Sequence, residues 1–238
     1  MSNLIIDEGN TLCKAAVVSN GAILAQTVGR DIDDAALPEL AAQYGISSII
    51  SASTRRASVE LPSALQGISH TRFDATTKLP IKIKYSTPGT LGLDRVAAAV
   101  GASVLFPQSD VLIIDLGTAI TIDFLSRDRE FLGGVISPGP VMRAKALNTF
   151  TGRLPLVDIP AETRLRGQST TEALQFGIVN GIRFEIDGYI DAYRAENQDI
   201  KVVVTGGAAN TIVRPEVVRE PNLVIIGMNR ILEFANAQ

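Results

Sequence analysis

One pattern occurs twice in this chain and constrains its fold more than any other feature: an apolar strand ending in aspartate, with a glycine two positions later. The copies are Ile5-Ile6-Asp7-Glu8-Gly9-Asn10-Thr11 and Ile113-Ile114-Asp115-Leu116-Gly117-Thr118. In each copy the strand carries one carboxylate to its end, and the glycine lets the backbone turn tightly. The repetition predicts two related half-domains, 1–108 and 109–238.

Each copy also opens a predicted three-strand meander. In the first half, a strand that begins at Asn3 is followed by strands over 11–18 and 22–28, joined by Asn20-Gly21, the strongest short hairpin signal. In the second half, the predicted strands cover 111–116, 119–125 and 131–136. Strands and helical patterns alternate after each meander, which predicts an α/β fold.

The remaining elements follow from periodicity and helix-forming composition. A long helix over 170–194 carries Leu or Ile at every fourth position from Leu174 to Ile190, as expected for a helix that packs inside the chain. Gly177 and Gly181 would also let another helix approach closely. The other predicted elements are helices over 37–44, 57–65, 93–105 and 229–235, a helix after Pro140, and strands over 47–51, 81–85, 201–205 and 223–226.

Composition limits the classes of protein and partner. With 238 residues, 46% of them hydrophobic, the chain can bury one large core or two modest ones. A net charge of −3 and scattered Lys and Arg residues argue against a nucleic-acid partner. The single Cys13 and single His70 exclude an internal disulfide and a His/Cys zinc cluster, and they fit a reducing cytoplasm. No apolar run approaches about 18 residues, so neither a signal peptide nor a membrane span is expected.

The two hairpins have the parts that bind phosphate. Backbone N–H groups and hydroxyls hold phosphate oxygens, and carboxylates hold the magnesium that screens their charge. Either segment alone, 7–14 or 115–121, is more often an ordinary β-turn, because Asp, Asn and Gly favour turns. Two copies, each opening a meander, favour two half-domains that face one nucleotide. Lys14 could reach a phosphate or could equally be a solvated lysine of the strand, and Cys13 is interpreted as a small buried residue.

A second constellation, Gly92-Leu93-Asp94-Arg95, begins the alanine-rich helix. Asp94 has a complete structural explanation there, because a carboxylate is favoured in the first turn of a helix. The functional alternative makes Asp94 the base that takes a proton from an attacking hydroxyl, while Arg95 holds an anionic substrate. The sequence has neither a Walker P-loop nor a dinucleotide fingerprint, and no nucleophile-elbow motif that could partner His70.

These segments resemble motifs of the acetate and sugar kinase, heat-shock chaperone and actin superfamily, and especially those of its type III pantothenate kinases. The matching motifs are Asp-x-Gly-Asn-Thr-x-x-Lys at 7–14, Tyr-x-x-Pro-x-x-Leu-Gly-x-Asp-Arg at 85–95, Asp-x-Gly-Thr-Ala-x-Thr-x-Asp at 115–123, Gly-Gly-x-Ile-x-Pro-Gly at 133–139, and Thr170 seven residues before Gly177. Two segments depart from the family pattern. Glu8 stands where an apolar residue is usual, and Gln168-Ser169 stands where Asn or Asp commonly precedes the threonine.

The resemblance implies two duplicated ribonuclease H-like domains of the actin-like ATPase superfold, each with a mixed sheet that opens in a three-strand meander. It implies a cytoplasmic enzyme that phosphorylates pantothenate to 4′-phosphopantothenate, the first step of coenzyme A biosynthesis, with ATP, Mg²⁺ and a monovalent cation, K⁺ or NH₄⁺. It also implies a homodimer in which Thr170 reaches the substrate of the neighbouring subunit. The alternatives are a regulatory accessory protein that binds ATP and pantothenate without turnover, and a phosphohydrolase of the same superfold.

The same resemblance assigns roles to particular residues. ATP would be bound by Asp7, Glu8, Gly9, Asn10, Thr11, Leu12, Cys13, Lys14 and Thr118. Pantothenate would be held by Tyr85, Gly92, Leu93, Asp94, Arg95 and Thr170. Asp94 would also be the proton acceptor, and Asp115 would bind the monovalent cation.

Overall fold

The computed structural model describes residues 2–31, 36–55, 59–212 and 214–237. The chain divides into two compact units. The first comprises Met1–Gln108, Ser126–Leu132 and Asn222–Gln238, and the second comprises Ser109–Leu125 and Gly133–Pro221. The half-domains 1–108 and 109–238 stay a prediction.

Eleven strands and five helices are found along the described chain. In order they are β1 (Ser2–Glu8), β2 (Cys13–Ser19), β3 (Ala22–Gly29), α1 (Ala36–Tyr44), β4 (Ile46–Ser53), β5 (Ser69–Arg72), β6 (Lys82–Ile83), α2 (Leu93–Leu105), β7 (Val111–Leu116), β8 (Ala119–Leu125), β9 (Glu130–Pro138), α3 (Pro140–Phe150), α4 (Thr170–Glu196), β10 (Lys201–Thr205), β11 (Val217–Arg219) and α5 (Leu223–Asn236). Three short 3₁₀ helices cover Ser63–Leu65, Pro88–Thr90 and Ala209–Thr211.

The first unit is built on a five-stranded sheet with the order β3-β2-β1-β4-β5. β1, β2 and β3 are antiparallel, which agrees with the predicted meander, and β4 and β5 extend the sheet in parallel. The β2–β3 turn has φ of 49° at Asn20 and 77° at Gly21, the left-handed conformation that its Asn-Gly sequence favours. A core against this sheet includes the buried residues Leu4, Ile6, Ala15, Val17 and Ile49.

Helices α2 and α5 of the first unit approach each other closely because both carry glycine where they cross. A Cβ on Gly101 would lie 2.2 Å from the carbonyl oxygen of Leu223, and a Cβ on Gly227 would lie 1.8 Å from that of Ala97. No larger residue fits these positions without separating the helices. The prediction of a strand over 223–226 was wrong. Packing against α2 decides the conformation of this short apolar run, which periodicity alone leaves ambiguous.

In the second unit the strand order is β11-β10-β7-β8-β9. Only the part of β9 from Gly133 onward belongs to this unit. β7 and β8 are antiparallel, whereas β10 is parallel to both β7 and β11, so the sheet is mixed. The apolar residues at every fourth position of α4, from Leu174 to Ile190, lie in the core of this unit, as their spacing predicts. Neither α4 nor any other helix of the described chain is long and apolar enough to cross a membrane.

Two further predicted elements differ from the structure. Residues 59–62 are not helical, and a short 3₁₀ helix follows instead, because Pro62 cannot lie inside an α-helix. Residues 57 and 58 of that predicted helix lie outside the described residues. The strand predicted over 81–85 shortens to β6, which pairs in parallel with the first residues of β9 and places Ile83 opposite Phe131.

Candidate active site

The first hairpin turn, residues 9–12, joins β1 to β2 at the surface of the first unit. A hydrogen bond of 3.1 Å from the Gly9 N–H to the Leu12 carbonyl closes it. Asn10, Thr11 and Leu12 are exposed. The turn therefore presents backbone and a hydroxyl to solvent, as a phosphate-binding turn requires.

The register of β1 and β2 separates the side chains of this hairpin into two sets. Asp7 pairs with Lys14, and Glu8 pairs with Cys13. Because directly opposed residues point to the same face of a sheet and neighbours alternate, Asp7 and Lys14 share one face and Glu8 and Cys13 share the other. Glu8 and Cys13 are buried, at 4% and 1% exposure. Of these two pairs, only Asp7 and Lys14 can offer their side chains to a ligand.

Asp7 has an unusual carboxyl group. Burial is the main reason that its pKa is raised from 3.8 to about 6; the positive charge of Lys14 opposes the rise, and the negative charge of Asp94 adds to it. This electrostatic interaction places Asp94 in the neighbourhood of Asp7. A cation bound beside Asp7 would favour its ionised form.

Glu8, which departs from the family pattern, is held by the end of β4. Ser53 Oγ donates a hydrogen bond to Glu8 Oε2 at 2.5 Å. Thr54 donates its N–H and its hydroxyl to the Glu8 carbonyl, at 3.0 and 3.2 Å. The Ser53 bond gives the buried carboxylate a polar partner, and the two Thr54 bonds hold the backbone at the same residue.

Arg55, which lies in none of the sequence motifs, contacts the first hairpin turn. Its Nε donates to the Gly9 carbonyl at 2.7 Å, and its Nη1 donates to the Arg30 carbonyl at 2.8 Å and pairs with Asp31 Oδ1 at 3.0 Å. It follows directly after β4 in an ordinary polar segment, so no sequence signal marks it. The parallel pairing of β4 with β1 brings it to the turn.

The start of α2 places the Asp94 carboxylate against Gly92. Gly92 is the N-cap of the helix, and Asp94 Oδ1 accepts the N–H of Arg95 at 2.8 Å. A Cβ on Gly92 would lie 2.5 Å from that same Oδ1. The carboxylate thus occupies the space that any larger residue at 92 would need. Asp94 both accepts a backbone N–H of the first helical turn and stays exposed to a ligand.

Arg95 is buried between two aromatic rings. Its guanidinium carbon lies 5.7 Å from the centroid of the Tyr85 ring and 5.7 Å from that of Phe131. The two rings meet edge to face with centroids 6.1 Å apart. Tyr85 was among the predicted site residues, but Phe131 was not, because its place depends on the long-range pairing of β6 with β9. The rings fix the direction of a planar guanidinium.

The second hairpin turn, Gly117-Thr118, lies in the second unit. Gly117 N–H donates to the Ala119 carbonyl at 3.1 Å, and Thr118 is exposed. Gly139 N–H donates to the Thr118 carbonyl at 3.1 Å, and a Cβ on Gly139 would lie 2.4 Å from that oxygen. Gly139 therefore lets the start of α3 lie directly against the turn.

Asp115 lies at the end of β7, beside the turn that follows β10. Gly206 has a φ of +90°, and a Cβ there would lie 2.4 Å from Asp115 Oδ1 and 2.6 Å from the Leu116 carbonyl oxygen. Glycine thus lets the β10 turn approach a carboxylate and a carbonyl oxygen at one place. Oxygen donors of this kind suit a hard cation such as K⁺.

Thr170 is the first residue of α4, and two side-chain hydrogen bonds cap the start of this helix. Ser169 Oγ accepts the N–H of Glu172 at 3.2 Å, while Glu172 Oε2 accepts the N–H of Gln168 at 2.7 Å. Gln168 and Ser169, which differ from the residues usual in the family, therefore still define the start of the helix. They leave Thr170 exposed.

The predicted site residues fall into both units. Asp7, Lys14 and Asp94 are electrostatic neighbours in the first unit, where Arg95 also contacts Tyr85. Asp115, Thr118 and Thr170 belong to the second unit. Within the described part of the chain, no group of three or more His, Cys, Asp or Glu side chains is arranged to hold a metal ion.

Comparison with known proteins assigns the family. A family model described as type III pantothenate kinase matches residues 3–192. The type III pantothenate kinase of Cytophaga hutchinsonii is 42% identical over 241 residues, covering 98% of this chain and 99% of that protein, and that of Porphyromonas gingivalis is 39% identical over 240 residues, covering 98% of each. The solved activator of the 2-hydroxyisocaproyl-CoA dehydratase from Clostridium difficile, with bound ADPNP, superposes with a TM-score of 0.60 at 14% identity, covering 100% of this chain and 97% of that one. The fold is therefore the actin-like ATPase superfold of ribonuclease H-like domains, and this chain belongs to the type III pantothenate kinase family.

Proposed function

We propose that this protein transfers the γ-phosphoryl group of ATP to the primary hydroxyl of pantothenate, giving 4′-phosphopantothenate and ADP, at the entry to coenzyme A biosynthesis. The family model over residues 3–192 and the curated relative that covers 98% of the chain carry this proposal. The exposed Asp94 carboxylate beside the buried Arg95 supports it, because a hydroxyl acceptor needs a base and an anionic acceptor needs a cation. A binding protein without turnover would need no such base.

Asp94 is the proposed general base. One of its carboxylate oxygens, Oδ1, is held by the Arg95 N–H, so the other can accept the proton of the substrate hydroxyl. The hydroxyl oxygen then forms a bond to the γ-phosphorus, and the bond from that phosphorus to the bridging oxygen breaks. Most of the rate enhancement in such transfers comes from positioning and charge stabilisation rather than from covalent chemistry.

Arg95 and its neighbours form the proposed pantothenate site. A guanidinium fixed by Tyr85 and Phe131 is suited to hold a carboxylate in one orientation. Gly92 and Leu93 supply backbone beside Asp94 at the start of α2. Thr170 is proposed to contribute its hydroxyl from the first turn of α4.

ATP is the proposed phosphoryl donor, bound by residues 7–14 and by Thr118. The exposed turn supports this assignment through its N–H groups and the Thr11 hydroxyl, whereas Glu8 and Cys13 would contribute backbone alone. The kinase family implies a divalent metal; when bound, Mg²⁺ neutralises charge on the phosphate oxygens. Asp7 fits such an ion, since a bound cation would relieve the cost of ionising a carboxyl with a raised pKa.

Asp115 is the proposed site of a monovalent cation, K⁺ or NH₄⁺. Its carboxylate and the nearby Leu116 carbonyl oxygen, which also accepts the Ala208 N–H at 3.1 Å, are the oxygen donors that support this assignment. Such an ion would add positive charge near the second hairpin turn, where Thr118 is proposed to contact ATP.

The protein is proposed to work as a cytoplasmic homodimer, without nucleic-acid or membrane partners. One face of α4 supports a subunit contact: a Cβ added to Gly177 or Gly188 would meet no atom of the described chain within 4 Å, and Phe184 between them is 64% exposed. Thr170 is proposed to act on the substrate of the neighbouring subunit. Co-expressing Asp94→Asn and Thr170→Ala chains tests this, because a mixed dimer would contain one intact site only if Thr170 acts across subunits.

The first test of the reaction is product formation. Purified protein with ATP, Mg²⁺ and pantothenate should give equal amounts of ADP and phosphopantothenate, with more turnover in potassium than in sodium salts. Asp94→Asn should lower kcat at least about a hundredfold and leave the affinity for ATP nearly unchanged. Asp128→Asn, in an exposed turn of the same unit, is the matched control. Nucleotide binding without product in either salt would favour the regulatory alternative.

A further inference from the structure

The end of β4 holds the backbone of the first hairpin turn at two consecutive peptide groups. Thr54 binds the Glu8 carbonyl through its N–H at 3.0 Å. Arg55 Nε binds the next carbonyl, that of Gly9, at 2.7 Å. The Ser53 hydroxyl connects the two contacts, since it donates to Glu8 Oε2 and accepts the Arg55 N–H at 3.1 Å. Three successive residues thus hold the point where the turn leaves β1.

The direction of one carbonyl determines the direction of the next amide. In a planar trans peptide, the C=O of one residue and the N–H of the following residue point to opposite sides. Because Arg55 holds the Gly9 carbonyl on its own side, the Asn10 N–H is directed to the opposite side. A carbonyl oxygen that rotated toward a phosphate would instead repel it.

The other half of the Arg55 guanidinium is held at the end of β3. Nη1 contacts the Arg30 carbonyl at 2.8 Å and Asp31 Oδ1 at 3.0 Å. Arginine can make these bonds and the Gly9 bond together because its donors form a rigid planar fork, whereas lysine has one flexible ammonium group. The arginine therefore links the turn to a neighbouring strand of the same sheet.

We propose that Arg55 is a positioning residue for the phosphates of ATP: it fixes the Gly9–Asn10 peptide so that the turn presents N–H groups to the nucleotide. The role is distinct from that of Lys14, which belongs to the face shared with Asp7. This inference rests on the proposed function, because it assumes that the first turn binds the nucleotide phosphates.

The test compares steady-state constants for Arg55→Lys, Arg55→Ala, Asp31→Asn and the wild type. Arg55→Ala should raise the KM for ATP about tenfold or more, as expected for loss of a charge-assisted hydrogen bond, and leave the KM for pantothenate within about twofold. Arg55→Lys keeps the charge but loses the fork, so it should resemble Arg55→Ala. Asp31→Asn should change either KM by less than about twofold, since it removes an exposed ion pair and keeps both carbonyl contacts.

Arg72→Ala is the matched control, because Arg72 is an exposed arginine on β5 of the same unit with an ion pair to Asp74 at 3.7 Å. An unchanged pantothenate KM shows that the variants are folded, and calorimetric titration with a non-hydrolysable ATP analogue should give the same loss as the KM for ATP. Wild-type affinity for ATP in Arg55→Ala, or in Arg55→Lys, would overturn the inference. A wild-type protein that binds the analogue but forms no phosphopantothenate would instead overturn the proposed function.

Discussion

The Arg95 guanidinium carbon lies 5.7 Å from the centroid of the Phe131 ring. Phe131 is in β9, within the segment Ser126–Leu132 that belongs to the first unit although it comes much later in the chain. Tyr85 contacts the same guanidinium at an equal distance. The orientation of the proposed substrate-binding cation therefore depends on a residue that is itself fully buried and cannot touch substrate.

Phe131→Leu should weaken pantothenate binding. The substitution removes one cation–π contact worth about 1 kcal/mol, so the KM for pantothenate should rise roughly fivefold while the KM for ATP is unchanged. Steady-state kinetics with each substrate varied in turn measure the split. Phe73→Leu, which also removes a buried ring from the first unit, is the control for general loss of packing. Equal changes in the two variants would contradict a specific role for Phe131.

Gly92→Ala should lower kcat without unfolding the protein. The new Cβ would lie 2.5 Å from Asp94 Oδ1, so the carboxylate must move, but a side-chain end can move at little cost to the fold. A displaced base should reduce kcat by about ten- to a hundredfold. Gly89→Ala, where a Cβ meets none of the described atoms within 4 Å, should leave turnover and melting temperature unchanged. Normal kcat in Gly92→Ala would argue against Asp94 as the base.

Asp7→Asn should stabilise the protein while impairing catalysis. Because the folded-state pKa is raised from 3.8 to about 6, ionised Asp7 costs about 3 kcal/mol of stability at neutral pH. The cost is complete above pH 6 and disappears as the pH falls toward 3.8. Urea unfolding should therefore favour Asp7→Asn at pH 7.5, and the difference should shrink at pH 4.5. A difference that does not change with pH would show that Asp7 titrates normally.

Gly206→Ala should destabilise the second unit and disturb Asp115. At a φ of +90° an alanine is strained by about 1–3 kcal/mol, and its Cβ would lie 2.4 Å from the Asp115 carboxylate. The melting temperature and the proposed dependence of turnover on potassium should both fall. Gly207→Ala is the neighbouring control, since a Cβ there has no atom of the described residues within 4 Å. If both variants behave alike, the close approach of Gly206 has no functional role.

Local sequence signals predicted the hairpins and the long helix. The Asn20-Gly21 turn depends on two dihedral angles that its residues favour by themselves, and α4 carries its apolar residues at a regular spacing. The roles of Asp7, Asp94 and Arg95 were proposed from motifs, and the structure adds their surroundings. The pKa of the Asp7 carboxyl is raised mainly by burial and also by the negative charge of Asp94. The Arg95 guanidinium lies between two aromatic rings.

Residues whose position depends on distant pairing were missed. Phe131 reaches Arg95 because β6 and β9 pair in parallel, and Arg55 reaches Gly9 because β4 pairs with β1. Neither pairing has a local signal. The run 223–226 was misassigned for a related reason: four apolar residues fit a strand or a helix, and the surface of α2 decides between them.

The glycine-mediated crossing of α2 and α5 has a consequence for synthesis on the ribosome. The α2 surface at Ala97 and Gly101 is covered by residues that are translated only after the whole second unit. The first unit, which contains Asp7 and Asp94, therefore cannot finish folding until α5 has been synthesised. A nascent chain that stops before residue 222 would leave this apolar helix surface open to chaperones or to aggregation.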